Sequence, residues 1–315
     1  MKGLPSSTPV GLDCFRAIFQ DYLQRWTAQE VILRVPDCAA AQRLEATASR
    51  VFHFQPELFL QVQGTTVFDT PGGSVSVGPG EIALVPAGVP HAETIAHEAE
   101  RPFGNLVVGF FNGNVSVHLG QESAPGVPAV AERFLFWTDR FSALVQNLEL
   151  IAVLQQAATS RSRQSVRGLM QGVLCLLVDV LETESFTEAS DSAKVVQSKW
   201  IISENLSNSD LSVGFLSEQL GCNPNYLSRL FHQKAGEKLT DYITKTRLRY
   251  AMNALIETDR SVKDVARICG FSDPNYFARV FRQYIGCSPH AYRKQERTLR
   301  ERISVKGVGE MLAAE

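Results

Sequence analysis

An internal repeat in the C-terminal part most strongly restricts what this chain can fold into. Two segments match at an offset of 50 residues, so that Pro224 corresponds to Pro274 and Gly236 to Gly286. Identical residues recur at Asn225 and Asn275, Tyr226 and Tyr276, Arg229 and Arg279, Phe231 and Phe281, Gln233 and Gln283, and Tyr242 and Tyr292. Upstream the offset is 49, since Gly221 corresponds to Gly270. Such a repeat predicts two copies of one supersecondary unit.

Each copy has the pattern of two short helices joined by a tight turn. In the first copy, Gly221 suits the left-handed position that ends a helix. Asn223 suits the cap of the next helix, and Pro224 suits its first turn. Apolar residues then recur at helical spacing in both second helices: Tyr226, Leu227, Leu230 and Phe231, and Tyr276, Phe277, Val280 and Phe281. The sequence therefore predicts two helix-turn-helix units.

The opposite face of each second helix carries no acidic residue. Its members are Asn225, Ser228, Arg229 and His232 in the first copy, and Asn275, Ala278, Arg279 and Arg282 in the second. Arginine pairs with guanine and asparagine with adenine in the major groove, while a small Ser or Ala permits close approach. A solvated helix face usually mixes both signs of charge, so these two rows favour contact with DNA bases.

The segment between the copies, Leu239 to Thr258, has one continuous helical pattern. About 20 residues of helix span about 30 Å, close to the roughly 34 Å of one turn of B-DNA. Such a connector could set the two second helices into successive major grooves. Phosphate contacts are expected from helix N-termini and from Lys234, Lys238, Lys245, Arg282, Arg293 and Lys294. Simple solvation is the alternative for most of these side chains.

Charge divides the chain in the same way as the repeat does. Residues 194–300 hold 17 Lys and Arg against 10 Asp and Glu, a net charge of +7, whereas the whole chain has a net charge of −2. A basic part joined to an acidic part indicates two tasks, with polyanion contact in the basic part.

The six cysteines form no CxxC pair, and the N-terminus lacks an apolar signal segment. We therefore expect a soluble cytoplasmic protein without membrane contact.

The first half of the chain has a different pattern of apolar and turn-forming residues. Between about Val51 and Leu119, short apolar segments alternate with Gly and Pro turns, which predicts an antiparallel barrel or sandwich. Two amphipathic helices are predicted next, one from Phe141 to Ala152 and one from Val166 to Leu181, with Ser160–Ser165 between them. Their wide apolar stripes must pack within the chain or against a second subunit. The polar segment that follows is typical of a linker.

The repeat resembles the DNA-binding domain of the AraC/XylS family of bacterial transcription regulators. The resemblance covers about Lys194 to Arg293. It rests on the two repeated cores, on Arg247-Leu-Arg-Tyr-Ala251, Asp264-Val-Ala266 and Cys269-Gly-Phe271, and on the segment Gly286 to Arg293. The family implies a seven-helix domain with base contacts at Asn225, Ser228, Arg229, Asn275, Ala278 and Arg279. Pro224 and Pro274 stand where some relatives have polar residues, so readout at the start of each helix is expected to be weaker.

The first half resembles the family's cupin-like effector domains. The segment Gly80 to His91 fits the second cupin motif, but no His-x-His accompanies it, because His53 is followed by Phe54-Gln55. Neither a metal nor another cofactor is therefore expected, and His91 is interpreted as a hydrogen-bonded turn histidine, even with Glu93 and His97 nearby. The family implies a small organic effector. Candidate pocket residues are Phe54, Phe59, His91 and Phe103, each of which is also a good core residue.

The expected architecture is multidomain, with a cupin-like β-barrel followed by an all-α double helix-turn-helix domain. The boundaries are 1–125 for the effector domain, 126–183 for a helical dimerisation pair, 184–193 for a linker, 194–300 for the DNA-binding domain and 301–315 for a tail. We expect a homodimeric, effector-responsive activator that binds double-stranded DNA and, as an activator, RNA polymerase. The alternatives are an architectural DNA binder whose barrel only dimerises, and a cupin enzyme tethered to nucleic acid.

Overall fold

The computed structural model describes residues 11–39, 42–44, 50–96, 103–157, 159–182 and 191–299. The chain divides into two compact units, residues 1–203 and 204–315. The predicted tail lies outside the described residues. The predicted linker does so too, except that Asp191 and the two residues after it open a helix.

The described part of the first unit contains helix α1 and nine strands. The helix α1 is Leu12–Thr27. The strands are β1 Leu33–Arg34, β2 Glu57–Gln63, β3 Thr66–Thr70, β4 Gly73–Val77, β5 Ile82–Val85, β6 Ala92–Ile95, β7 Gly104–Phe111, β8 Asn114–Ala124 and β9 Val127–Trp137. Three helices follow: α2 Phe141–Ala157, α3 Ser160–Glu182 and α4 Asp191–Glu204, of which all but the last residue belongs to this unit.

The strands form two sheets. One has the order β1-β5-β2-β7-β8-β9 and the other the order β4-β3-β6. All pairs are antiparallel except β1 with β5. The expected closed barrel is not formed by the described strands, because no ladder joins the two sheets among them. Pro86 and Pro90, which lack a backbone N–H, separate β5 from β6 where the chain passes from one sheet to the other.

The central strand β2 is buried on both faces. Leu58 and Leu60 point to one face and pack in a large core with α1, α2 and α3. Phe59 points to the other face and packs with Phe68 of the smaller sheet. This division follows from the two-residue period of a strand. The larger sheet is thus covered by helices on one side and by the smaller sheet on the other.

The helices α2 and α3 differ in part from the sequence prediction. Residues 126–137 are not part of the helical pair, because Val127–Trp137 pairs with β8 as the last strand. Ser160–Ser165 is not a connector but the first turns of α3. The Thr159 hydroxyl, just before this helix, accepts a hydrogen bond from the N–H of Ser162 at 3.0 Å. The helix α3 is long and apolar enough to cross a membrane by composition. Its apolar stripe is buried in the core of the first unit.

The helix α4 packs against the larger sheet. Val196 and Trp200 contact Phe111 of β7 and Leu135 of β9. The guanidinium carbon of Arg133 lies 3.6 Å from the centre of the Trp200 ring, which is cation–π geometry.

The second unit is helical throughout its described part. Its helices are α5 Val213–Gln219, α6 Pro224–Ala235, α7 Leu239–Glu257, α8 Val262–Ile268 and α9 Pro274–Ile285, and residues 289–299 form a terminal helix. With α4, the described residues from 191 to 299 contain seven helices, the number implied by the resemblance. The predicted connector helix is confirmed as α7, and Thr258 is its C-terminal cap.

Candidate nucleic-acid interface

Local sequence signals fix both ends of the helix α6. The Asn223 side chain accepts a hydrogen bond from the N–H of Asn225 at 2.9 Å, and Pro224 occupies the first turn. Gly236 ends the helix with a φ of 77°, a left-handed conformation that favours glycine. The turn before α6 contains Gly221 at a φ of 58°. The predicted first helix-turn-helix unit, α5 and α6, is confirmed.

The second copy repeats this geometry in α8 and α9. The Asp273 carboxylate accepts from the N–H of Asn275 at 2.8 Å, and Gly286 ends the helix at a φ of 89°. Gly270, with a φ of 78°, also has a packing role, since a Cβ there would lie 2.3 Å from the Leu206 carbonyl oxygen. The helices α5 and α8 are capped alike, by the hydroxyls of Ser212 and Ser261.

The predicted reading rows lie on the outer faces of α6 and α9. Leu227, Leu230 and Phe231 of α6 are buried, as are Phe277, Val280 and Phe281 of α9. The opposite rows are accessible to solvent. Asn225, Arg229 and His232, and Asn275, Arg279 and Arg282, are exposed, while Ser228 and Ala278 are partly exposed. Each row therefore presents side chains that can donate to base edges, with a small residue at its centre.

The buried stripe is narrower than the sequence predicted. Tyr226 and Tyr276 are not core residues, because they are 36% and 43% exposed. A tyrosine at the edge of a stripe keeps its hydroxyl in water while its ring packs against the helix. The guanidinium of Arg279 lies over the Tyr276 ring at 5.4 Å, so this tyrosine borders the reading row.

The residues predicted to contact phosphates differ in whether a protein group already holds them. Four lysines are exposed: Lys234, Lys238, Lys245 and Lys294. Of these, Lys245 lies 2.7 Å from the Glu237 carboxylate. Arg293 is partly buried. Its Nε donates to the carbonyl of Leu255 at 2.8 Å, which ties it to α7. Burial and the neighbouring charge of Arg297 lower the pKa of the Arg293 guanidinium.

A second internal correspondence was missed by the sequence analysis. Arg247 donates from Nε to the Leu206 carbonyl at 3.4 Å and from Nη2 to the Asn208 carbonyl at 2.7 Å. Arg297, 50 residues later, donates from Nε to the carbonyl of Ile256 at 3.2 Å and from Nη2 to that of Thr258. The acceptors are 50 residues apart too. Each helix-turn-helix unit is thus spanned by an arginine that joins the helix after it to the residues before it.

The candidate effector residues lie in the first unit. Phe59 packs edge-on against Phe68 at 4.8 Å between ring centres, inside the smaller core. Phe103 is buried, and Phe54 is partly buried against Phe52. His91 is 1% exposed, and its Nδ1 donates to the Val89 carbonyl at 3.0 Å, as expected for a turn histidine.

His91 also belongs to a group of polar side chains that the sequence analysis did not assemble. One ligand atom each of His53, Glu57 and His91 lies within 4.8 Å of the others. Burial opposes ionisation of Glu57, but the two histidines lower its pKa well below the ordinary range. Burial opposes the charge on His91, but Glu57 raises its pKa. The sequence feature that could have revealed this group is the four-residue spacing of His53 and Glu57. The sequence analysis considered only a His-x-His pattern and therefore missed it.

Several known proteins are similar to this chain. A family model described as a helix-turn-helix domain matches residues 216–295. The uncharacterised regulator YijO of Escherichia coli is 29% identical over 248 residues, which cover 76% of this chain and 81% of that protein. The uncharacterised regulatory protein YesN of Bacillus subtilis is 36% identical over 116 residues, 36% of this chain but only 32% of that protein. The DNA-binding domain of AdpA, solved with a target DNA, is 29% identical, with 36% of this chain and 98% of that chain covered and a TM-score of 0.33.

Two capped helix-turn-helix units with basic outer faces define a DNA-binding protein of the double helix-turn-helix class. Residues 216–295 form an AraC-type helix-turn-helix domain, and the chain is similar to DNA-binding transcription regulators.

Proposed function

We propose that this protein is an effector-responsive transcriptional activator that reads two successive major grooves through α6 and α9. It acts in the cytoplasm as a homodimer, and it is a regulator rather than an enzyme. The observation that carries this proposal is the pair of exposed, acid-free rows that contain Arg229 and Arg279. Both rows have an arginine and an asparagine at equal spacing, so both helices can make the same kind of base contact.

The length of α7 supports binding to one face of the duplex. Its 19 residues span about 29 Å, close to the roughly 34 Å between successive major grooves. The exposed Lys234, Lys238 and Lys294 would contribute affinity through phosphates without reading sequence. Lys245 would first have to exchange Glu237 for a phosphate.

The first unit is the proposed sensing and dimerisation part, with residues 1–125 as a cupin-like effector domain. Its helix α2 buries Leu144, Leu148 and Ile151 but leaves Leu150 45% and Val153 65% exposed. These two residues are three apart and share a helix face. A second copy of the chain would cover that face. Ligand binding would then bias the DNA-binding equilibrium, and the activator would contact RNA polymerase at the promoter.

Base substitution in a selected DNA site tests the reading rows. A preferred site is first selected from random duplex DNA with the full-length protein. Arg229→Ala and Arg279→Ala should each weaken binding to that site by about 1–3 kcal/mol and relax preference at the contacted base pair. Fluorescence anisotropy on the site and on single-base variants measures both effects.

Two controls separate base reading from general electrostatics. Arg267→Ala removes an exposed arginine of α8 that lies outside both rows, so base preference should not change. Lys294→Ala should weaken all sequences alike and reduce the salt dependence by about one unit. If both row variants keep full base discrimination, the reading helices are assigned wrongly.

The regulatory part of the proposal has its own test. Sedimentation of the full-length protein without DNA should give a dimer at micromolar concentration, and Val153→Glu should shift it towards monomer. Calorimetry against a metabolite library should find a ligand that changes DNA affinity. A monomer, or a ligand without effect on DNA affinity, would leave an architectural or ligand-independent DNA binder as the better description.

A further inference from the structure

Backbone pairing in the first unit brings His91 beside two side chains from an earlier segment, His53 and Glu57. His91 and Val51 form a β-bridge with N–H···O distances of 2.8 and 3.0 Å, and the Gly88 N–H donates to the His53 carbonyl at 2.8 Å. The centres of the two imidazole rings lie 5.7 Å apart, and the ring planes are tilted by 44° to each other. Glu57 opens β2, and its carboxylate lies beside both rings.

The orientation of His91 leaves an electron pair facing the carboxylate. A carbonyl oxygen can only accept, so Nδ1 of His91 donates to Val89 and Nε2 is the acceptor in the neutral ring. Nε2 of His91 is buried and has no hydrogen-bond partner. The same holds for Oε2 of Glu57, which lies 3.4 Å away. Two buried acceptors in this arrangement are satisfied by a shared cation, which is either a proton on Nε2 of His91 or a metal ion between the two atoms.

The two distances from the Glu57 carboxylate match those between ligands of one metal ion. Ligand atoms about 2.1 Å from a tetrahedral ion lie about 3.4 Å from one another. Nε2 of His91 and Nε2 of His53 lie 3.4 and 3.6 Å from Oε2 of Glu57. The contact of His91 Nδ1 with a backbone carbonyl is the type of outer hydrogen bond that orients ligating histidines.

We propose that His53, Glu57 and His91 bind one divalent first-row transition-metal ion. Two imidazoles and one carboxylate suit Zn²⁺, Fe²⁺, Co²⁺ or Ni²⁺, whereas Mg²⁺ and Ca²⁺ prefer oxygen ligands only. Three protein ligands leave at least one coordination position open. The Glu93 carboxylate, 3.9 Å from Nε2 of His91, is near enough to take that position or to bind a ligand water.

Metal binding at this site goes beyond the proposed function and does not depend on it. The test therefore uses no DNA. Untagged full-length protein is stripped with a chelator, freed of it and titrated with Co²⁺. We expect one equivalent to bind, with visible absorption of nitrogen and oxygen coordination and no thiolate charge-transfer band. Calorimetry with Zn²⁺ should give the same stoichiometry.

Variants of the ligands assign the ion to the site. His53→Gln and Glu57→Gln should each weaken Co²⁺ binding at least as much as the roughly 10–100-fold that loss of an outer-shell partner costs. His290→Gln changes an exposed histidine of the second unit and should bind like the wild type. Zn²⁺ should also raise the melting temperature of the wild type and of His290→Gln but not of the ligand variants.

The proposal is overturned by wild-type protein that binds no Co²⁺ saturably, or by binding that survives unchanged in a folded Glu57→Gln variant. The first outcome would make the cluster a proton-bridged ion pair. Glu57→Gln preserves the shape of the side chain, so it decides the assignment if His53→Gln does not fold. Circular dichroism of both variants in chelator establishes that they are folded.

Discussion

Arg247→Met removes a charged side chain that spans the first helix-turn-helix unit. The guanidinium joins α7 to the carbonyls of Leu206 and Asn208. It also lies 5.8 Å from the centre of the Phe271 ring, which belongs to the second copy of the repeat. Methionine keeps most of the apolar length but donates no hydrogen bond. We expect the second unit, residues 204–315, to lose stability while the first unit keeps its own.

The size of the loss follows from the two bonds. A hydrogen bond from a charged donor contributes about 1.5–3 kcal/mol. The bond to Asn208 is short, at 2.7 Å, whereas the bond to Leu206, at 3.4 Å, contributes little. Burial lowers the pKa of Arg247, which means that the folded chain carries a desolvation cost that the variant avoids. The net loss should be about 2 kcal/mol, or about 8 °C in the melting temperature of a unit of this size.

Two probes distinguish the units in the full-length protein. The three tryptophans, Trp26, Trp137 and Trp200, all lie in residues 1–203, so tryptophan fluorescence follows the first unit alone. Differential scanning calorimetry and hydrogen exchange of peptides from α5 to α9 follow the second. Arg249→Met, two residues further along α7, is the matched control, because Arg249 is exposed and should change stability by less than about 0.5 kcal/mol.

The result that would refute this reasoning is a second unit as stable in Arg247→Met as in Arg249→Met. An equal shift in the tryptophan transition would also refute it, since the loss would then not be local. Arg297→Met tests the correspondence from the other copy. It should destabilise the same unit, because Arg297 donates to the equivalent carbonyls of Ile256 and Thr258.

Two further predictions concern buried titratable groups. Burial and the charge of Arg133 lower the pKa of His118 to about 4. The unfolded chain then binds a proton first, near pH 6.5, so stability is lost as the pH falls, by about 2 kcal/mol between pH 7 and pH 5. Urea unfolding in chelator, followed by tryptophan fluorescence, should show this loss in the wild type and not in His118→Gln; equal losses would contradict it. Burial raises the pKa of the Cys269 thiol to about 12, so iodoacetamide should modify the exposed Cys175 well before Cys269, as measured by peptide mass spectrometry. Similar rates for both would show that the turn before α9 opens readily.

The C-terminal unit was predictable because its signals are local. Asn223, Asp273, Gly236 and Gly286 act within a few residues of their own position, so their types fix the ends of α6 and α9. The wrong prediction that Tyr226 and Tyr276 belong to the buried stripe has a local cause as well. Helical spacing places Tyr226 beside the core, but spacing alone does not separate a buried ring from one that keeps its hydroxyl in water.

The first unit was less predictable because its contacts join distant residues. Strand β5 pairs with β1 and β2, and the His53–Glu57–His91 cluster depends on a bridge between Val51 and His91. A sequence pattern shows which segments are strands but not which ones become neighbours. The helix α3 began earlier than predicted because its first turns, Ser160–Ser165, are polar and carry no apolar period.

The arginine contacts extend the repeat beyond the segment in which the residues match. In each copy the repeated structure includes the carbonyls that precede the first helix, the two helices, and an arginine on the helix that follows. The helix α7 takes part in both copies: it carries Arg247 for the first, and the carbonyl of Ile256 near its end accepts from Arg297 for the second. A change in the position of α7 would therefore alter the position of both α6 and α9. This shared helix offers a physical reason for the two rows to act on DNA together and not as independent modules.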